Sequence, residues 1–223
     1  MAPKTEKARN MVIENLLLLW LAALPLMGSP GPATISLAAS GSAFGIRPSL
    51  GYLGGIIIGT IAVLLMVATG IAAALLAHPV AGQVLTAIAA IYILYLAWKI
   101  ATAPIRPASK PAHQTQASPE TTPEAKAPDF RGGVMLAIAN PKAFAAIGAV
   151  YAAHAIAPHS LWLDNTLKIT ALALVIVLVN SLWLVFGAGF ARLLSDPRFG
   201  RLINILFAVL LVASLAMALL SLS

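Results

Sequence analysis

The chain has no cysteine, which excludes a thiol redox relay, a cysteine-ligated metal and any disulfide. Charge is almost as scarce. Only 9% of the 223 residues are Asp, Glu, Lys or Arg, against about 25% in a soluble domain, too few to coat a water-facing surface. No GxxxxGK[ST] loop is present, so the chain has no visible means of hydrolysing a nucleotide. There is no GxSG element, and every histidine falls in a loop or at the end of an apolar stretch, which leaves no frame for an intramembrane protease. The ten-residue alternation of a membrane barrel is also missing. What is abundant is apolar residue, 60% of the total, with a mean hydropathy of +0.93. Residues 15–46, 169–191 and 202–223 carry no charge at all, and runs beyond about 18 apolar residues read as membrane-spanning helices. The first of these runs on through Pro30-Gly31-Pro32, past the length of a signal peptide's apolar core. The net charge of +7 sits at helix ends and in loops, where it sets topology; no nucleic-acid partner is expected.

Six spans are predicted, at about 12–44, 50–77, 80–99, 132–157, 166–191 and 201–221. The second and third are separated by the turn His78-Pro79-Val80-Ala81-Gly82 and read as an antiparallel hairpin. Residues 104–128 are different in kind, with six prolines among 25 residues and mostly small or polar residues between them. Such a segment buries too little apolar surface to offset its ordering entropy and reads as a disordered linker. The organisation predicted is a tail at 1–11, a three-helix half at 12–100, a linker at 101–131 and a second three-helix half at 132–221. An odd number of spans per half makes the second half enter the membrane from the opposite face. The expected fold is an all-α integral membrane protein of six transmembrane helices, arranged as two inverted three-helix repeats.

The first helix of each half carries a break, Pro30-Gly31-Pro32 in one and Asn140-Pro141-Lys142 in the other. Asn140 lies nine residues from Arg131, which is about 14 Å along a helix and near the middle of a hydrocarbon core of about 30 Å. Paired broken helices point to the binding site of a transporter. For orientation, one face receives Arg47, Lys99, Arg106, Lys110, Lys126, Arg131, Arg192, Arg198 and Arg201, and the other Lys4, Lys7, Arg9 and Lys168. The positive-inside rule then places the linker in the cytoplasm and both termini outside. The basic tail runs against this, and a start at Met11 would remove it.

Ser29-Pro30-Gly31-Pro32, with Phe130-Arg131-Gly132-Gly133 leading into Asn140-Pro141-Lys142-Ala143, resembles the two signatures of the LysE/RhtB family of amino-acid exporters. The Tyr-rich stretch from Ala90 to Lys99 fits the family's third span. The resemblance covers residues 12–221 and implies a bacterial inner-membrane exporter of amino acids or their derivatives, driven by the proton motive force. It names no substrate.

Candidate substrate-binding residues are Pro30, Gly31, Pro32, Thr34, Asn140, Pro141, Lys142 and Asn180. Pro32 and Pro141 suit the first position of a new half-helix, and Asn140 is a good N-cap. The amides of Ala33, Thr34 and Ile35 would then face a ligand. The alternative is a pair of kinks that only shape the bundle. Lys142 is the one formally charged residue in the central part of any span, and none of the acidic residues, all in tails, loops or helix ends, is an obvious partner. A substrate carboxylate would complete it; otherwise it snorkels, or caps carbonyls released by the first break. Thr60, Tyr92, Tyr95 and Asn180 are candidate polar lining. Gly51, Gly55 and Gly59 read as a packing stripe, Trp98 and Trp162 as interfacial anchors. No metal or cofactor is expected. The partners expected are an amino acid and the lipid bilayer, with a homodimer as a candidate assembly. Rival readings are export of another small solute or a cation, and a membrane scaffold without transport; a cation pore would carry acidic residues in its spans.

Overall fold

The computed structural model describes residues 2–76, 79–102, 127–193 and 197–220, all helical or in connections, with no strand among them. The helices are α1 (Ala2–Gly28), α2 (Pro32–Phe44), α3 (Ile46–Ala68), α4 (Ile71–Leu76), α5 (Pro79–Ala101), α6 (Phe130–Ile138), α7 (Pro141–Ala153), α8 (Leu161–Leu193) and α9 (Pro197–Leu220). Most of the 104–128 linker, together with His78 and Asp196, lies outside the described residues.

The breaks have local causes. Pro30 has no amide hydrogen and pushes Ser29 out of the helical region, so α1 stops at Gly28. Pro32 restarts the helix at its first position, where a missing amide costs nothing. Gly45, at φ +84°, turns the chain from α2 into α3, and its amide donates to Gly41 O at 3.0 Å. Asp129 caps α6 by accepting from the Gly132 amide at 2.9 Å. α6 and α7 meet at 59° across Ala139-Asn140, again with a proline, Pro141, opening the second helix.

Three stretches are long and apolar enough to cross a membrane: Arg9–Gly28, Ile46–Ala68 and Leu161–Gly189. The bent pair α6–α7 makes a fourth if counted as one span. The other two predicted spans correspond to α5 and α9, whose described apolar stretches, Ala90–Ala101 and Asn204–Ala216, are shorter. Polarity is turned inside out relative to a soluble protein. Leu21, Ile58, Leu182 and Val209 are more than half exposed, while Ser36, Ser40, Ser49, Asn140, Asn180 and Asn204 are buried. An outer surface of that kind calls for lipid rather than water. Among the described residues every buried side-chain nitrogen and oxygen has a partner, as a low-dielectric interior requires.

The bundle is organised by close crossings. α3 lies against α6, and α2 against α8. Gly55 and Gly59 face the backbone of Phe130 and Val134, and Gly133 faces the Tyr52 carbonyl. At the second crossing Gly187 and Gly41 meet the backbone of Ala38 and Leu184. A methyl group at Gly55, Gly133, Gly187 or Gly41 collides with main chain, which cannot swing away, and one at Gly59 meets Ala137 Cβ at 2.7 Å. Gly51 stands apart from the predicted stripe, since nothing lies within 4 Å of where its Cβ would be. The predicted hairpin of the second and third spans is also modified. The chain breaks at Thr69-Gly70, forms the short α4, and α5 then packs chiefly on α9.

Candidate functional site

The two breaks meet. A small cavity between α1, α2, α3, α7 and α8 is lined by Gly31, Ala33, Thr34, Thr60, Asn140, Lys142 and Asn180 among its polar and backbone surfaces, with Met27, Ile147, Ile176 and Val179 as apolar wall. Of the eight predicted residues, Gly31, Thr34, Asn140, Lys142 and Asn180 line it; Pro30, Pro32 and Pro141 instead set the backbone that shapes it. Thr60 lines it too, whereas Tyr92 and Tyr95 do not and pack against each other, ring centres 6.2 Å apart. The cavity has a volume of about 40 Å³, room for a few waters and less than an amino acid fills.

Lys142 reaches across from the second break to the first. Its ammonium donates to the carbonyl of Ser29 and, at 3.3 Å, to that of Pro30. Both carbonyls lie in the break just past the end of α1, where the negative end of the α1 dipole favours a cation. Lys142 therefore caps carbonyls of the first break, a contact that the sequence already allowed beside a substrate carboxylate. Its stem lies on Gly31: a Cβ there would stand 2.6 Å from Lys142 Cδ and 3.0 Å from Nζ. Trp183, which sequence reasoning did not single out, completes the cap by donating its indole N–H to Gly28 O at 3.0 Å. A tryptophan one turn from Asn180 in the middle of α8 was the available signal, because a buried indole must find an acceptor.

The two half-helix starts differ. At α7, Asn140 Oδ1 accepts the Lys142 amide at 3.1 Å and Asn140 O accepts the Ala143 amide at 3.0 Å, so its first turn is already capped. At α2 the cap position is Gly31, which has no side chain to offer. Thr34 Oγ1 accepts the Gly31 amide at 2.9 Å, and the Ile35 amide is spent on Gly31 O at 2.8 Å. Ile35 is thus unavailable to a ligand, contrary to the sequence expectation. Among the described residues no acceptor meets the amides of Ala33 and Thr34. Asn180 donates to Ile176 O at 2.7 Å, which leaves its side-chain oxygen as an acceptor on the wall. No acidic residue lines the cavity, and no group of three metal-ligating side chains occurs among the described residues.

A second polar cluster, also unpredicted, joins α7 to α8. Asp164 accepts from the Ile156 and Ala157 amides and pairs with Lys168 at 2.8 Å, and Lys168 donates to Tyr151 O at 3.3 Å. The i, i+4 spacing of opposite charges at the start of α8 was its sequence signal.

An all-helical membrane protein with two broken helices closing on a cationic cavity is a transporter rather than an enzyme. The sequence profile of LysE type translocators matches residues 24–223, and the chain belongs to that family. It is 30% identical over 195 residues to the cysteine/O-acetylserine efflux proteins of Escherichia coli (strain K12) and of Shigella flexneri, covering 86% of this chain and 91% of theirs. No solved structure matches the chain.

Proposed function

We propose that the protein exports small neutral amino acids of the cysteine and O-acetylserine class, binding them in the cavity between the breaks. One observation carries this: a lysine ammonium and two uncommitted helix amides, of Ala33 and Thr34, meet in a cavity whose lining has no carboxylate. Such a site favours an anion, and a zwitterion brings its carboxylate to it. Lys142 and the start of α2 hold the carboxylate. Thr34, Asn140 and Asn180 supply polar contacts, and the Pro30, Pro32 and Pro141 turns hold the two half-helices in place. The wall of Met27, Ile147, Ile176 and Val179 with Ala143 and Ala146 suits a short side chain. The named activity of the relatives points the same way.

The architecture that goes with this reading is six spans in two inverted halves, 12–100 and 132–221, set in the bacterial inner membrane with the linker cytoplasmic and both termini outside. Two half-helices of equal length, α2 and α7, each opened by a proline, support the repeat. Proton-motive-force coupling is part of the proposal, and since no carboxylate lines the cavity its proton carrier lies elsewhere. The test is export from cells fed cysteine- or serine-containing dipeptides. The wild type should release the amino acid, and Lys142→Met should reduce release by at least about tenfold, the loss of one charge-assisted contact, at an unchanged level of folded protein. Undiminished, acid-selective export by Lys142→Met would place the carboxylate site elsewhere.

A further inference from the structure

The Lys142 ammonium is held by two main-chain carbonyls, of Ser29 and Pro30, and the Thr34 hydroxyl also donates to Ser29 O at 3.4 Å. Carbonyls just past the end of a helix are what a primary ammonium, a donor only, needs as acceptors. An exported α-amino acid carries both an ammonium and a carboxylate. Resting on the reading of this cavity as the amino-acid site, we propose that the carbonyls of Ser29 and Pro30, which hold the Lys142 ammonium, form the subsite for the substrate's α-ammonium, with Lys142 as its internal stand-in.

The charges order themselves once a zwitterion enters. The carboxylate draws the Lys142 ammonium off the two carbonyls, helped by the amides of Ala33 and Thr34 next to it along the chain. The substrate's own ammonium then takes the vacated carbonyls, so that the carboxylate stands between two cations. No carbonyl is left bare in either state, which matters where an unpartnered buried polar group is costly. Gly31 is part of the device, because the lysine stem lies where any Cβ would be. The exchange also unties α7 from the end of α1, so binding a complete zwitterion loosens the contact that holds the two breaks together. A ligand with only one of the two charges cannot complete the exchange. A carboxylate alone strips Lys142 and leaves Pro30 O bare and Ser29 O with only the long contact from the Thr34 hydroxyl. An amine alone must displace a like charge from them.

The experiment is ligand-induced thermal stabilisation of the purified full-length protein with cysteine, N-acetylcysteine, cysteine ethyl ester and cysteamine; the absence of cysteine from the chain keeps thiol exchange out of the readout. With the wild type, cysteine should bind at least tenfold more tightly than each of the other three. With Lys142→Met the order should change in a way a plain carboxylate site does not require. Cysteine should fall by tenfold or more, while cysteamine should bind more tightly than it does to the wild type, because the carbonyls are now unoccupied. Lys142→Gln, which keeps a neutral donor for the carbonyls, should show the same rise to a smaller degree. Equal binding of cysteine and N-acetylcysteine by the wild type overturns the ammonium subsite while leaving the carboxylate site standing. So does a failure of cysteamine to gain in the variants. If neither variant folds, the N-acetylcysteine comparison on the wild type decides alone. No stabilisation of the wild type by cysteine overturns the amino-acid reading itself, and the subsite with it.

Discussion

At the scale of single residues, the site depends on a difference between two helix caps. Asn140 spends its side chain and carbonyl on the first turn of α7; Gly31 has no side chain to spend on α2. The glycine is also needed for space rather than for backbone freedom, since its φ of −168° and ψ of 177° are extended values open to any residue. Gly31→Ala therefore leaves the main chain in place and evicts the flexible end of Lys142, whose Cδ would stand 2.6 Å from the new methyl. The expected result is a protein that unfolds close to the wild-type temperature but exports roughly tenfold less, the scale of one charge-assisted contact. Thermal unfolding in detergent beside a transport assay separates the two effects. A large loss of stability with transport retained in the surviving fraction would show that Gly31 serves the fold.

Among elements, the crossings of α3 on α6 and α2 on α8 hold the half-helices against their neighbours. With lipid outside, no hydrophobic force drives helices together, so close packing and hydrogen bonds carry association. Gly187 meets the carbonyl of Ala38, and α2 would have to move as a body to admit a methyl. Gly187→Ala should cost about 1–3 kcal/mol and distort the start of α2. Gly51→Ala, with open space around it, should change stability by less than about 0.5 kcal/mol. Measured side by side by thermal unfolding, equal behaviour of the two variants would discredit the crossing as the organising contact.

For the whole molecule, orientation rests on charge. Nine Lys and Arg against four predict a cytoplasmic linker. A cysteine introduced at Ser118, in a chain that has none, should resist an impermeant thiol reagent in intact cells and react after permeabilisation. Labelling in intact cells would invert the topology.

The membrane class, the apolar helices and both breaks follow from the sequence alone, because they are local. Apolar run length, scarcity of charge and a proline's missing amide act within a turn or two of the residue that carries them. The helix starts at Pro32 and Pro141 and the Asn140 cap are legible for the same reason. The pairings are not. Lys142 is 113 residues from Ser29 and Trp183 is 155 from Gly28, and no local rule says which carbonyls a distant donor will meet. The same holds for Gly187, which reads as an ordinary glycine until α2 is laid across it, and for α5, which packs chiefly on α9 instead of along α3. Sequence placed a lone cation beside a broken helix; only the packing of α1 against α7 decided that its partners are the carbonyls of Ser29 and Pro30. Backbone acceptors have no sequence identity, and three-dimensional proximity alone selects them.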